Sequence, residues 1–399
     1  MRLVLLNESF EDISDLEFAE EVVAIKKYND VGECKIKFGC DQDVVDLISE
    51  STYIVDYDHP DDYEGYETFS IYKISNVEIT TSVNQGDVLN IVADDGLSIL
   101  SDRAIINPII FNGHHPAELL LELFKDCYSD NKYPRKSSLV IINESSFQSL
   151  IDKHKDDEYI ADVDVENNFI DLLSRVLEIC QAFNYGIKVR YCPDLDGGKF
   201  IVSVYSGEEK NVEFSPNFRN ISDTEYTQTR SYKNVAIVKG QSGKATISST
   251  EDTTPVVIVW EGYPNLFLEP YGDDRREVII DASSDCSREF TKETLDVLFP
   301  NTSVAQMDND DTKGKLYDEY YIPLLVNYGV EALKSLKSES TFSGELEIDN
   351  MYEYKVDYDL GDIVVAKNRY DLGGTTRVVE IWESRDNTGV DILEPKFKW

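Results

Sequence analysis

Alternation of apolar and polar residues constrains this chain more than any other feature. Cys34, Ile36 and Phe38 alternate with Glu33, Lys35 and Lys37. Phe69 and Ile71 keep the same two-residue period, and so do Val77 and Ile79. Residues 88–92 form a mostly apolar run, broken by Asn90 and followed by Asp94-Asp95-Gly96. Successive side chains of an extended chain point to opposite faces, so this period predicts strands with one buried face. Short strands closed by turn residues predict a barrel or sandwich. Between them lies an acidic, tyrosine-rich stretch, residues 56–67, which reads as a loop or hairpin tip.

The period then changes. Pro116 suits the first turn of a helix, where its missing N–H would lack a partner anyway. Leu119, Leu120, Leu123, Phe124 and Cys127 make an apolar stripe behind it. A second helix is expected from an N-cap at Asn167 or Asn168, with Ile170, Leu173, Val176, Leu177, Cys180 and Phe183 buried and Gly186 ending it. Residues 194–198 predict a hairpin turn, with 200–205 as the returning strand. Strand patterns resume at 212–214, 233–239 and 255–260. Residues 285–299 look helical and end at Pro300; a longer helix is expected over about 315–337, kinked or restarted at Pro323. Strands return at 344–348, 362–366, 375–382 and 390–393. The order β, α, β, α, β describes an α+β, β-rich chain. Its 399 residues allow two to three domains at roughly 150 residues each. No fixed-period repeat is visible, though two interrupted β blocks hint at a diverged duplication.

Charge narrows the function classes. Lys and Arg total 38 against 77 Asp and Glu, a net charge of −39. That balance excludes ordinary phosphate-backbone binding, which needs a positive footprint, and adsorption to anionic membranes. With 17 Phe and 24 Tyr the chain is not a disordered acidic tail. No run approaches the roughly 20 apolar residues of a membrane span, and the start is too short for a signal-peptide core. Cys34, Cys40, Cys127, Cys180, Cys192 and Cys286 contain no CxxC pair and read as reduced thiols.

Catalytic and metal chemistry find little support. His59, His114, His115 and His154 form no HExxH or HxH spacing, and no GxSxG is present. His114 and His115 precede Pro116 and read as helix-entrance residues. Gly240-Gln241-Ser242-Gly243-Lys244 resembles a phosphate loop but has Val238 where the first Gly belongs and Ala245 where Ser or Thr belongs, so it reads as a hairpin turn. Asp308, Asp310, Thr312 and Glu319 echo a calcium loop but place Lys313 where the sharp turn needs Gly. Asp58, Asp61 and Asp62 offer carboxylates for a divalent ion, with a solvated surface loop as the simpler reading. No catalytic residue, metal ligand or cofactor is predicted.

Two stretches carry a family resemblance. One is Phe214-Ser215-Pro216-Asn217-Phe218-Arg219-Asn220-Ile221, leading through Tyr226 and Arg230 into Lys233-Asn234-Val235-Ala236-Ile237-Val238-Lys239-Gly240. The other is Tyr354-Lys355-Val356-Asp357-Tyr358-Asp359-Leu360-Gly361-Asp362-Ile363-Val364-Val365, followed by Arg377-Val378-Val379-Glu380-Ile381. Together with residues 103–108 and the block order, they resemble the siphophage tail proteins that form the baseplate or tail-tip hub, the Tal proteins. The resemblance implies two tube-like β-barrel domains interleaved with two mixed or helical insertion domains. The first barrel would comprise 1–100 with 200–240, and the second 241–285 with 343–399. Residues 101–199 and 286–342 would be the insertions.

The resemblance also implies a homotrimer with quasi-sixfold symmetry that docks under a hexameric distal tail ring. Receptor-binding or fibre proteins would be further partners. Phage DNA would pass through the lumen without specific binding, and no membrane would be involved. The protein would sit at the tail tip of the virion after synthesis in the bacterial host cytoplasm. Phe214, Ser215, Asn234, Asp357, Asp359, Gly361, Asp362 and Arg377 are its structural signature. Gly361 would allow a tight turn, and the three aspartates would hold turn hydrogen bonds. Many relatives continue into a fibre or a peptidoglycan-cutting domain, and a chain ending at Trp399 is expected to carry neither. Two other classes compete: a host-wall carbohydrate-binding module, stacking sugars on Tyr57, Tyr63 and Tyr66, and a peptidoglycan-degrading enzyme. The missing catalytic spacing argues against the latter.

Overall fold

A computed structural model describes residues 1–82, 86–106, 115–129, 136–155, 170–229, 231–242, 255–261, 275–283, 321–336, 339–346, 352–386 and 391–398. The protein is strongly β-rich. Among the described residues, sixteen strands join in one sheet. From one end it runs Ile221–Thr229, Glu339–Leu346, Asp391–Lys398, Gly373–Arg385, Glu21–Lys27, Glu33–Gly39 and Gly86–Asp95. It continues through Tyr66–Ser82, Gly186–Cys192 and Lys199–Tyr205 to Val140–Ile142. Leu3–Leu6, Asp12–Asp15 and Tyr53–Tyr63 branch from one side, and Glu209–Phe214 with Ile363–Lys367 from the other.

The alternation at 33–39 does what its period requires. Cys34, Ile36 and Phe38 enter a core with Leu5, Ala24, Ile54 and Tyr72, while Glu33, Lys35 and Lys37 face outward. Val77 and Ile79 behave differently, at 44% and 50% exposure. Residues 75–81 are all exposed, so neither face of this stretch is covered and its period selects no buried side.

Helix Pro116–Tyr128 starts as its proline predicts. His115 is its N-cap, accepting from the Ala117 N–H, while the Glu118 carboxylate accepts from the His115 N–H. The second expected helix runs Leu172–Phe183, capped by Asp171 rather than Asn167 or Asn168, which lie outside the described residues. Asn184 ends it with φ 54°, and Gly186 instead opens the following strand. Helices Gln42–Ser49 and Glu144–His154 are not expected from the sequence; the first is capped by the Asp41 side chain. A further helix, Ile322–Ser335, carries Pro323 in its first turn, and residues 315–320 lie outside the described residues. Residues 285–299 lie outside the described residues. No described helix is long and apolar enough to cross a membrane.

Two closed barrels are not what the ladders describe: among the described residues the sheet does not close. The reason is strand Gly373–Arg385. Residues 373–377 pair with Ile363–Lys367, residues 380–385 pair with Glu21–Lys27, and its other edge carries Asp391–Lys398. One long strand thus joins the N-terminal and C-terminal groups. Pairing also splits the segment 200–240. Lys199–Tyr205 pairs with Gly186–Cys192. Glu209–Phe214 lies parallel to Ile363–Lys367, and Ile221–Thr229 pairs with Glu339–Leu346. Val235–Ser242 sits in a separate three-stranded sheet with Pro255–Glu261 and Glu277–Asp281. Among the described residues, no strand within 199–242 pairs with those of 1–100.

Candidate functional site

Where the N-terminal strands, the inserted region and the C-terminal turn meet, charged side chains replace apolar ones. Asp61, near the end of Tyr53–Tyr63, takes the Lys188 ammonium at 2.7 Å, Arg190 Nε at 3.3 Å and the Lys355 ammonium at 3.3 Å. Arg190 is itself buried and donates to Ser70 Oγ and to the carbonyls of His59 and Thr68. Burial alone would raise the Asp61 pKa, but the three cations overcome it and hold the carboxyl well below the usual range. A second cluster lies nearby on the N-terminal strands. Lys26 binds Glu383 at 2.8 Å and Asp56 at 3.3 Å, with the Asp56 side chain fully buried. Burial works against the Lys26 charge, yet two carboxylates around one ammonium raise its pKa. Burial, with Glu383 adding to it, also raises that of Asp56. A cavity of about 70 Å³ separates the clusters, lined by Lys26, Asp61, Asp95, Arg190, Tyr354 and Lys355.

Tyr28 is the pivot beside them. Its N–H donates to the Val379 carbonyl, its carbonyl accepts from the Ile187 N–H, and its hydroxyl donates to the Asn184 carbonyl at 2.7 Å. Burial pushes its hydroxyl pKa up to about 12. The Arg377 guanidinium sits 5.1 Å from the ring centroid and donates to the Gly361 carbonyl at 2.5 Å. Gly361 has φ +93°, and a Cβ there would strike the Tyr28 ring. Behind it, a Cβ on Gly207 would strike the Gly361 carbonyl. Two backbones and an aromatic face therefore close on a point where only glycine fits.

The signature residues fall into three places. Asp359, Gly361, Asp362 and Arg377 meet at this turn. Asp362 is buried, accepting from the Asp359 N–H and the Glu208 N–H, both at 2.8 Å. Asp359 accepts from the Leu360 N–H and pairs with Lys355. Asp357 is exposed and accepts from the Glu353 N–H at 2.8 Å. Phe214 belongs to the C-terminal core, against Tyr358 and Phe397. Ser215 caps the short turn Pro216–Phe218. Asn234 lies apart, on the three-stranded sheet, accepting from the Arg276 N–H.

Asp58, Asp61 and Asp62 do not form a metal site. Asp58 holds the terminal ammonium at 2.7 Å and Asp61 is saturated by cations. Among the described residues no cluster of metal-ligating side chains occurs. The stretch 56–67 is strand and hairpin, turning at Glu64-Gly65, so the hairpin-tip alternative holds and the solvated loop does not. Tyr57 already packs on Phe69 and under Arg2, whereas Tyr66 is exposed. Residues 243–245 and 308–319, with Arg230, His114 and Cys286, lie outside the described residues. The junction charges themselves escaped sequence reading, although Arg190 between Val189 and Tyr191, and Asp56 after Ile54 and Val55, signal charges placed on buried strands.

Residues 2–397 match the siphovirus ReqiPepy6 Gp37-like proteins. The chain belongs to this family of siphovirus tail proteins. Among solved structures, it is similar to a prophage MuSo2 tail protein of 43 kDa from Shewanella oneidensis, at 10% identity and a TM-score of 0.48, over 100% of this chain and 98% of that one. It is also similar to a tail protein from Neisseria meningitidis MC58, at 10% identity and a TM-score of 0.46, over 100% and 96%. A third is prophage tail protein gp18 from Listeria monocytogenes EGD-e, at 12% identity and a TM-score of 0.44, over 100% and 94%. Identities this low transfer no activity or ligand to this chain. No curated protein matches it. As a member of the family, the protein is a structural component of the virion tail.

Proposed function

We propose that this protein is the hub of a siphovirus tail tip. Three copies form a ring at the distal end of the tail tube, beneath a hexameric ring protein and above receptor-binding or fibre proteins. The carrying observation is the family match over 2–397, nearly the whole chain. The junction supports the reading. Asp61, Lys188 and Lys355 lie 127 and 294 residues apart in sequence, yet one carboxylate joins them. Breaking such a contact is costly, so the three regions move as one body, as a ring under load requires. The interleaved division, with tube-type domains built around 1–100 and 343–399 and insertions between, is part of the same proposal. So is the conduit. A net charge of −39 per copy favours a lumen that repels DNA phosphates and lets the genome pass without sticking. The role is architectural and needs no catalytic group or cofactor.

Mass photometry and negative-stain imaging of the purified chain test it. A three-fold ring of three copies is the expected result. Monomers at every concentration, with no ring, would overturn the hub reading.

A further inference from the structure

One end of the sheet carries an open cleft of about 1280 Å³, lined by Pro216, Arg219, Asp223, Asn368, Arg369 and Tyr370 among others. Two turns build it. Glu209–Phe214 and Ile363–Lys367 run parallel, with Phe214 beside Ala366, so the turns that follow them emerge side by side. Both turns are rigid. Ser215 Oγ accepts from the Asn217 N–H, and Asn220 bridges the Ser215 N–H and the Glu213 carbonyl. Asn368 Oδ1 accepts from the Tyr370 and Leu372 N–H groups, and its backbone N–H reaches the Leu372 carbonyl.

The tips expose what a folded chain ordinarily hides. Phe218 is 58% exposed, Tyr370 77% and Leu372 50%. Arg219 and Arg369 have no ion pair, side-chain hydrogen bond or ring contact among the described residues. Every other described arginine has one. Arg2, Arg175, Arg190, Arg275 and Arg385 pair with carboxylates. Arg103, Arg276 and Arg377 lie over tyrosine rings. In a chain with 77 carboxylates to 38 cations, unpartnered guanidiniums are scarce, and the two among the described residues line one cleft. Arginine and tyrosine on rigid turns are the residue types that anchor protein interfaces. The cleft is also larger than the roughly 300–1,000 Å³ of a small-molecule site, which favours a protein surface.

We propose that this cleft docks a second copy of the chain, an inference that rests on the hub reading. A closed ring uses head-to-tail contacts, in which one patch meets a different patch on the neighbour. Each neighbour presents a surface in surplus of carboxylate, and copies at −39 repel unless cations stand at the contact. Arg219 and Arg369 supply those cations. Asp223 lines the same cleft and disfavours a neighbour's carboxylate seated directly against it.

The test compares the assembly of the full-length chain with its R219E/R369E and R219K/R369K variants, by mass photometry and light scattering across nanomolar to micromolar concentrations. Circular dichroism checks that each is folded, which these exposed side chains should not disturb. The charge-reversed pair is expected to need roughly tenfold or higher concentration to assemble, with the lysine pair closer to the parent. A parent trimer and an equally stable charge-reversed trimer would overturn the docking inference and leave the hub reading intact. A parent that is monomeric throughout overturns both. Tyr370→Ser, with both arginines kept, is the second variant: unchanged assembly there counts against the cleft even when the charge-reversed pair misfolds.

Discussion

Asp61→Asn removes the one carboxylate that three cations share. Lys188, Arg190 and Lys355, each held 2.7–3.3 Å from that carboxylate, would then repel one another around a neutral amide, with Lys355 keeping its contact to Asp359. Unit charges about 4 Å apart interact by roughly 4 kcal/mol at an effective dielectric of 20, so the gross attraction is large. Desolvation cancels most of it. The cost of removing one partner from a buried pair, about 3–5 kcal/mol, is the upper scale: Arg190 stays largely buried and loses its carboxylate, whereas Lys188 is a third exposed and Lys355 keeps Asp359. The substituted amide keeps an oxygen for Lys188, which places the expected loss near the lower end. Denaturant unfolding at neutral pH measures it, and adding Lys355→Met should restore part of the loss by removing one repelling charge. The pH dependence follows from the lowered pKa. The ionised carboxylate contributes fully above its ordinary pKa near 4, and the contribution fades as pH falls below that toward the folded-state value. The difference between parent and variant should therefore stay flat from about pH 5 to 8 and shrink only in acid. A loss under about 1 kcal/mol, the scale of exposed ion pairs, would refute the view that this junction is desolvated and joins the three regions.

Gly361→Ala drives a methyl into the Tyr28 ring on a backbone with φ +93°, so a loss of about 2–4 kcal/mol is expected. Thermal unfolding checks it; a neutral result would mean that the turn relaxes freely. Asp95 is half-buried, accepting from the Gly32 and Leu97 N–H groups at 2.8 Å, and desolvation raises its pKa to about 7. Its protonated form stabilises the fold fully below the ordinary pKa near 4, and that contribution is lost as pH rises through 7. Asp95→Asn should flatten the stability profile over that window, by up to about 4 kcal/mol between its ends. Urea midpoints at pH 5 and pH 8 that shift equally in both proteins would count against it.

Much of the local structure was legible in the residues alone. The alternation at 33–39 determined which side chains are buried, because the period of an extended chain leaves no choice of face. Pro116 marked a helix start for a reason of hydrogen bonding, and the His115 cap sits where that reasoning puts it. The motifs at 214–221 and 354–365 pointed to a tail-protein family before any fold was known. Other features depended on tertiary structure. Val77 and Ile79 keep a perfect local period yet lie exposed, because no other element covers either face of 75–81. Strands at 209–229 pair with the C-terminal block rather than the N-terminal one, and Gly373–Arg385 joins both into one open sheet. Asp61, alone in an acidic stretch, became the centre of a junction only when Lys188 and Lys355 arrived from distant sequence. Local patterns set the direction of each side chain through backbone sterics. The choice of partner is a comparison between whole arrangements of the chain, and no local window contains the terms of that comparison.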